Sequence, residues 1–135
     1  MKVLLSIKPE YAEKILLGQK KYEFRRAIFR FPEVTKVVIY ASRPIQKVIG
    51  EFEIDHVLTL KLGELWKKTK QDSGIEKEFY DSYFEGKEIG HAIKVKKVKR
   101  YSNYLDLEDL HVKRAPQSFI YLHGQEKFFW AGIVA

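Results

Sequence analysis

Apolar and polar residues alternate with a period of two along much of the chain, which indicates β-strands. Gly50 interrupts one alternating segment, and the phase of another slips between Val95 and Val98, so bulges or bends are expected there. The predicted strands are Val3–Ile7, Lys20–Arg26, Lys36–Ala41, Lys47–Leu60, Ala92–Tyr101 and Phe128–Val134.

Helical spacing is clearest in the segment that follows the first strand. Pro9 suits the first turn of a helix, and Gly18 suits the left-handed conformation that ends one. Between them, Ala12, Ile15 and Leu16 form one apolar stripe. Further helices are predicted over Leu62–Lys70 and Ile75–Phe84, and a short turn or helix is predicted through Phe119–Leu122.

Many strands with few helices in mixed order predict an α+β, mainly β fold. We expect a small curled or closed β-barrel of about six strands with peripheral short helices. A chain of 135 residues is expected to form a single domain over its whole length.

The charge balance points to polyanionic partners. There are 25 Lys and Arg residues against 18 Asp and Glu residues, a net charge of +7. Such a basic protein suits RNA, DNA or acidic lipid, although lysines also simply solubilise a surface. No apolar run is long enough for a membrane span and the apolar N-terminal stretch is too short for a signal peptide, so no membrane partner is expected.

Several kinds of chemistry are excluded by the residues that are missing. The chain has no cysteine, which removes disulfides and thiolate chemistry and fits a cytoplasmic location. Phosphate-loop and dinucleotide glycine motifs are absent, and the four histidines are scattered without metal-ligand spacing. No cofactor and no metal site are therefore predicted.

The segment after the first helix concentrates ionic groups. On a strand, Lys21, Glu23 and Arg25 share one face, and Lys20 lies at the junction with the helix. The neighbouring cations favour the ionised form of Glu23, which makes it a hydrogen-bond acceptor for the amino group of a base. Arg25 and Arg26 offer forked donors that match phosphate oxygens. The alternative is an ordinary surface strand with weak ion pairs.

Other segments combine aromatic and polar residues in the way that single-stranded RNA binding requires. Lys94–Arg100 is densely basic and is followed by Tyr101 and Tyr104, although lysines there would also protect a sheet edge. The remaining candidates are Tyr40, Ser42 and Arg43 at a strand end, and Ser118, Phe119 and Tyr121 in the late turn.

The ordered motifs resemble the ASCH family of the PUA-like superfold. The resemblance rests on Gly18-Gln19-Lys20 followed by Glu23-Phe24-Arg25, supported by Tyr40-Ala41-Ser42, Val48–Ile54 and Ala115–Phe119. It implies a small β-barrel with peripheral helices, a cleft lined by the first motif, and an RNA-related role. Some members of the family hydrolyse acetylated cytidine, and others are described as ribonucleases.

Lys20, Glu23 and Arg25 match the lysine, acidic and basic positions of the family. Glu23 occupies the position of the threonine nucleophile in the amidohydrolases, and a carboxylate cannot act there as a hydroxyl nucleophile.

Three functions follow as hypotheses. The first is a non-catalytic domain that binds RNA or a modified nucleotide, and the second is a metal-independent hydrolase of RNA or of an acylated nucleoside. In the second, Lys20 and Glu23 are the candidate catalytic residues. The third is a protein-interaction domain whose charge is incidental; the oligomeric state stays open. The predicted ligand-binding residues are Lys20, Lys21, Glu23, Arg25, Arg26, Tyr40, Ser42, Arg43, Ser118 and Tyr121.

Overall fold

The computed structural model describes residues 1–122. These residues form strands β1 (Lys2–Ile7), β2 (Tyr22–Arg25), β3 (Lys36–Ala41), β4 (Lys47–Lys61), β5 (Ile89–Leu105) and β6 (Phe119–Tyr121). The helices are α1 (Pro9–Leu16), α2 (Leu62–Thr69) and α3 (Lys77–Tyr83), with short 3₁₀ turns at Lys70–Asp72 and Leu107–Leu110.

The six strands form one mixed sheet in the order β2-β5-β4-β3-β1-β6. Strands β1 and β3 are parallel and the other neighbours are antiparallel. The two edge strands, β2 and β6, do not pair with each other, so the sheet is a curled half-barrel. The predicted α+β, mainly β fold is confirmed, in its curled rather than its closed form.

Both faces of the central strands are buried. On one face, residues such as Val37 and Ile39 pack against Ala12 and Ile15 of α1. On the other face, Val38 belongs to a separate apolar group near the C-terminal end of the described chain. Burial on both sides explains why β1 and β3 are almost continuously apolar in sequence.

Helices α2 and α3 pack together on the β2–β5 end of the sheet. Phe24 and Tyr80 meet edge to face with ring centroids 5.4 Å apart, and Leu65 and Phe84 complete this apolar cluster. The cluster fixes α3 beside β2, which positions the site described below.

Both predicted bulges are confirmed. Ile39 pairs with Gly50 whereas Tyr40 pairs with Val48, so one residue of β4 is extra at this point. A side chain at Gly50 would place its Cβ 2.5 Å from the Lys99 carbonyl oxygen, which explains the glycine. In β5, the register against β4 shifts between Lys97 and Val95.

Strand β6 corrects the predicted turn or helix through Phe119–Leu122. The segment pairs antiparallel with β1, which otherwise has a free edge. With only three residues, β6 is too short to show an alternation of apolar and polar residues in the sequence. The predicted strand Phe128–Val134 lies outside the described residues. No helix within residues 1–122 is long and apolar enough to span a bilayer.

Glu51 is a second correction. Alternation along Lys47–Leu60 predicts that Glu51, Glu53 and Asp55 lie on the solvent side of the strand. The Glu51 side chain is buried, and its Oε1 accepts hydrogen bonds from Lys2 Nζ at 3.0 Å and from the Tyr101 hydroxyl at 2.8 Å. Burial raises the pKa of Glu51, but these bonds and the positive charges of Lys2 and Lys36 outweigh that effect and hold it below its usual range.

Candidate functional site

A cleft lies at the seam of the half-barrel, where β2 approaches β1 without pairing to it. Its volume is about 320 Å³, which is at the lower end of the range for small-molecule sites. The ends of β1 and β2 form one wall, and α1 and α3 form the other. We call it the seam cleft.

Arg25 bridges the seam. Its Nη1 donates to the Ser6 carbonyl of β1 at 3.3 Å, and its Nη2 donates to the Ser118 carbonyl just before β6 at 2.8 Å. Nη1 also donates to Glu23 Oε2 at 3.2 Å. The guanidinium is thus oriented by three acceptors on three segments, and its remaining N–H donors are available to a ligand.

Lys20 is a buried cation in the wall of the cleft. Its side chain is 2% exposed, and Nζ donates to the carbonyls of Tyr22 and Ser73. Nζ also lies 4.8 Å from the centre of the Phe24 ring and 5.7 Å from that of Tyr11. These two donated hydrogen bonds leave one ammonium N–H for a third partner.

Burial lowers the pKa of Lys20 to about 8, because the charged form loses hydration. The negative charge of Glu23 opposes this effect, and the positive charge of Lys14 adds to it. An amine with this pKa exists in both protonation states near neutral pH, which suits proton transfer.

Glu23 places an oriented carboxylate beside this lysine. The residue is 6% exposed and lies opposite Ile93 in the β2–β5 register, so its side chain shares the face of the inner core. Arg25 occupies Oε2, and no donor in the described part of the chain bonds to Oε1. The free oxygen is an acceptor that faces the cleft.

Aromatic rings form the opposite wall. Phe79 and Tyr83, one turn apart on α3, have nearly parallel rings with centroids 6.1 Å apart and an interplanar angle of 11°. Tyr11 of α1 lies 5.1 Å from Phe79. Burial raises the pKa of the Tyr11 and Tyr83 phenols, so both keep their protons at neutral pH.

Comparison with known proteins identifies the family. A family model described as the ASCH domain matches residues 5–99, which include the end of β1, the seam-cleft residues of β2 and all of α3. The chain belongs to the ASCH domain family.

Relatives of this ASCH domain occur in different contexts. It is 31% identical over 120 residues to large ribosomal subunit protein uL22 of Ureaplasma parvum serovar 3, and this match covers 89% of the chain but 39% of that protein. It is 29% identical over 126 residues to an ASCH domain-containing ribonuclease of Zymomonas mobilis, covering 91% of the chain and 85% of that protein. A crystal structure of a tyrosine-to-phenylalanine variant of ASCH from Zymomonas mobilis has a TM-score of 0.85, 26% identity and 99% coverage of both chains.

Half of the predicted site residues of this ASCH domain lie together. Lys20, Glu23 and Arg25 all line the seam cleft, and Arg26 and Ser118 line a concavity that adjoins it. Burial of Lys20 and Glu23 excludes the alternative of an ordinary surface strand.

The other predicted site residues lie elsewhere. Tyr40 is 6% exposed and packs on the opposite face of the sheet, because alternation along β3 sets it apart from Ile39 and Ala41. Tyr121 packs against Phe31 outside the cleft, with ring centroids 4.6 Å apart and the rings tilted by 30°. Ser42, Arg43 and Lys21 also lie outside the residues that line the cleft.

The basic strand does not line the cleft either. The Tyr101 hydroxyl is occupied by Glu51, and the Tyr104 hydroxyl accepts from Arg100. Strand β5 pairs with β2 only over residues 91–94, so beyond this point it has a strand on one side only in the described structure. This geometry fits the alternative that its lysines protect a sheet edge.

Sequence reasoning missed the aromatic wall and the loop that holds Lys20. Ser73 supplies an acceptor, and Gly74 packs so closely that an added Cβ would lie 2.5 Å from Lys20 Cβ. One available signal was the spacing of Phe79 and Tyr83, which puts two rings on one face of a helix. Among the described residues no group of three or more histidine, aspartate or glutamate side chains is placed to hold a metal ion.

Proposed function

We propose that this ASCH domain binds single-stranded RNA, with one nucleotide seated in the seam cleft. The observation that carries the proposal is the composition of the cavity, in which buried ionic groups face a wall of aromatic rings. RNA-binding sites for unpaired nucleotides use this combination, because bases stack on rings while phosphates and base edges bond to charged groups.

Each wall has a distinct task in this proposal. The free donors of Arg25 bind a phosphate, and Oε1 of Glu23 accepts from an amino group of the base. Phe79 and Tyr83 stack with the base, an interaction of about 1–3 kcal/mol per base. The net charge of +7 supports the same class of ligand.

The test is a titration of a fluorescent single-stranded RNA at increasing salt concentration. We expect the logarithm of the affinity to fall by about 0.7 per neutralised phosphate for each tenfold increase in salt, because counterions are released on binding. Absence of binding at low salt, or an affinity independent of salt, contradicts the proposal. Equal weak binding to heparin, unaffected by Arg25→Ala, supports a protein-interaction domain with incidental charge instead.

Cleavage of RNA at the same site is the second candidate function. It is favoured by the 29% identity to a protein named as a ribonuclease and by the pKa of Lys20 near 8. In such a reaction a base removes the proton of the 2′-hydroxyl, and the 2′-oxygen attacks the adjacent phosphorus. The bond from phosphorus to the 5′-oxygen breaks, and an acid protonates that oxygen.

For this reaction Lys20 and Glu23 are the candidate acid and base, and Arg25 stabilises the charge that develops on the phosphorane. Incubation with end-labelled RNA should give fragments that end in a 2′,3′-cyclic phosphate, and Lys20→Met should abolish them. If the folded wild-type protein gives no fragments, binding without catalysis remains. Turnover of acetylated cytidine alone identifies an acylated nucleoside as the substrate instead.

A further inference from the structure

A second concavity opens directly beside the seam cleft and shares Arg25, Tyr83 and Gln117 with it. Its own residues include Arg26 and Lys87, and its volume is about 390 Å³. We call it the Arg26–Lys87 shelf. A ligand that extends out of the cleft past Tyr83 enters the shelf without leaving the protein surface.

The shelf contains cations without carboxylates. Arg25, Arg26 and Lys87 line it, and no aspartate or glutamate does. Glu85 and Glu88 flank Lys87 in the chain, but neither belongs to the lining. A negatively charged group on the shelf is therefore attracted from several directions and repelled by no lining residue.

The opposite end of the cleft has a different charge balance. The concavity on that side shares Tyr11 and Phe79 with the cleft, and its cations are Lys14 and Lys70. Two carboxylates, those of Glu10 and Glu76, line the same concavity and offset these charges. A phosphate next to the seated nucleotide is thus bound better on the shelf than at this end.

The two outer cations of the shelf are also available. Arg26 and Lys87 are exposed, and neither forms an ion pair with a carboxylate in residues 1–122. Arg26 is instead held by its backbone, whose N–H donates to the Tyr83 hydroxyl at 3.2 Å. By contrast, the surface cations Lys77 and Arg100 are paired with Asp81 and Glu13.

We infer that the Arg26–Lys87 shelf binds the phosphate adjoining the nucleotide in the seam cleft, so that the ligand is an oligonucleotide and not a free nucleotide. The inference rests on the proposed function, since it extends the ligand of the same site. Tyr83 lines both concavities and marks the point where the chain of the RNA passes from one to the other.

The experiment compares a mononucleotide with a single-stranded hexanucleotide at low salt. We expect the hexanucleotide to bind at least about tenfold more tightly, because it adds phosphate contacts. The double variant Arg26→Gln/Lys87→Gln should remove most of this gain and lower the salt slope by about 0.7, the contribution of one neutralised phosphate, while mononucleotide affinity stays within about twofold.

The matched control is Lys97→Gln/Lys99→Gln, which removes the same charge from exposed positions of β5 that line neither concavity. An equal loss of hexanucleotide affinity in this control overturns the inference about the shelf. Equal affinity of the wild-type protein for both ligands overturns it as well. In either case, binding of the mononucleotide leaves the proposed function standing. If the wild-type protein binds neither the mononucleotide nor the hexanucleotide, the inference about the shelf and the proposed function are both wrong. Thermal unfolding verifies that each variant is folded.

Discussion

Lys20 is the residue in which burial and charge conflict most strongly. Its ammonium group is held by two carbonyl oxygens and two aromatic rings, with the carboxylate of Glu23 nearby in the same cleft. Hydrogen bonds to carbonyls do not replace full hydration, so the charged form is destabilised. The conflict is located in the seam cleft, which we propose as the ligand site, and a lowered lysine pKa is typical of functional sites.

This conflict makes the stability of the fold depend on pH. The unfolded chain keeps the Lys20 proton up to about pH 10.5, whereas the folded protein releases it near pH 8. The unfolded state binds more protons between these values, so stability rises with pH across this window. The full effect corresponds to about 3 kcal/mol.

Urea unfolding between pH 7 and pH 10.5 measures this effect as the difference between the wild-type protein and Lys20→Met. We expect the free energy of unfolding of the wild-type protein to increase relative to the variant as pH rises. If the difference in the free energy of unfolding between the two proteins stays constant with pH, the lowered pKa of Lys20 is contradicted. Lys97→Met, at an exposed position, should show no such pH dependence relative to wild type.

Gly74 is predicted to hold Lys20 in place. Its φ of +69° is unfavourable for other residues, and an added Cβ would lie 2.6 Å from Lys20 Cγ. Gly74→Ala should lower the free energy of unfolding by about 1–3 kcal/mol and weaken RNA binding in the same variant. Gly63→Ala is the control, because nothing lies within 4 Å of the added Cβ and alanine suits its position in α2. If Gly74→Ala is as stable as the wild-type protein, the loop around Gly74 adjusts to the added methyl group and does not hold Lys20 in place.

At the scale of elements, α3 has two aromatic faces. Tyr80, together with Phe84 directly after the helix, enters the core with Phe24, whereas Phe79 and Tyr83 line the seam cleft. A helix of seven residues thus connects the core to the site. The core rings anchor this helix, whose other face carries Phe79 and Tyr83.

Phe79→Ala should therefore weaken binding of single-stranded RNA by about 5-fold to 150-fold, the equivalent of 1–3 kcal/mol for one stacked base. Stability should change less than in Tyr80→Ala, which removes a buried ring and costs about 3–5 kcal/mol. Phe31→Ala removes a ring that is 47% exposed outside the cleft and should leave RNA affinity unchanged. Equal affinities of all three variants would exclude α3 from the interface.

The elements that the sequence predicts well are those with a strong local period. Strand β3 has the predicted bounds, and the phase slip after Val95 locates a real bulge. Strand β6 was missed because three residues show no period, and its existence depends on the free edge of β1. In the site, Lys20, Glu23 and Arg25 could be predicted from one motif. The contact of Tyr11 with Phe79 could not, because tertiary packing alone brings α1 beside α3.

At the scale of the whole molecule, the open seam is the feature that makes a cleft possible. A closed barrel would pair β2 with its neighbour across the seam and fill the space with backbone hydrogen bonds. Here the guanidinium of Arg25 provides a connection from β2 to β1 and to the chain before β6.

Arg25→Lys keeps the charge but loses the forked donors, so it should loosen the seam. We expect the free energy of unfolding to fall by about 1–3 kcal/mol, because two partly buried carbonyls lose a charged donor. Amide protons of β6 should exchange faster with solvent. Arg26→Lys is the control, and equal exchange rates at β6 in the two variants would show that Arg25 is not the connection.

The bond from Arg25 to Ser118 joins residues 93 positions apart in the chain. Closure of so long a loop comes late in folding, because its entropic cost must be met by contacts formed earlier. We therefore expect the seam cleft to be completed after the nucleus of the fold has formed. A bound oligonucleotide should accordingly slow unfolding while leaving the refolding rate almost unchanged.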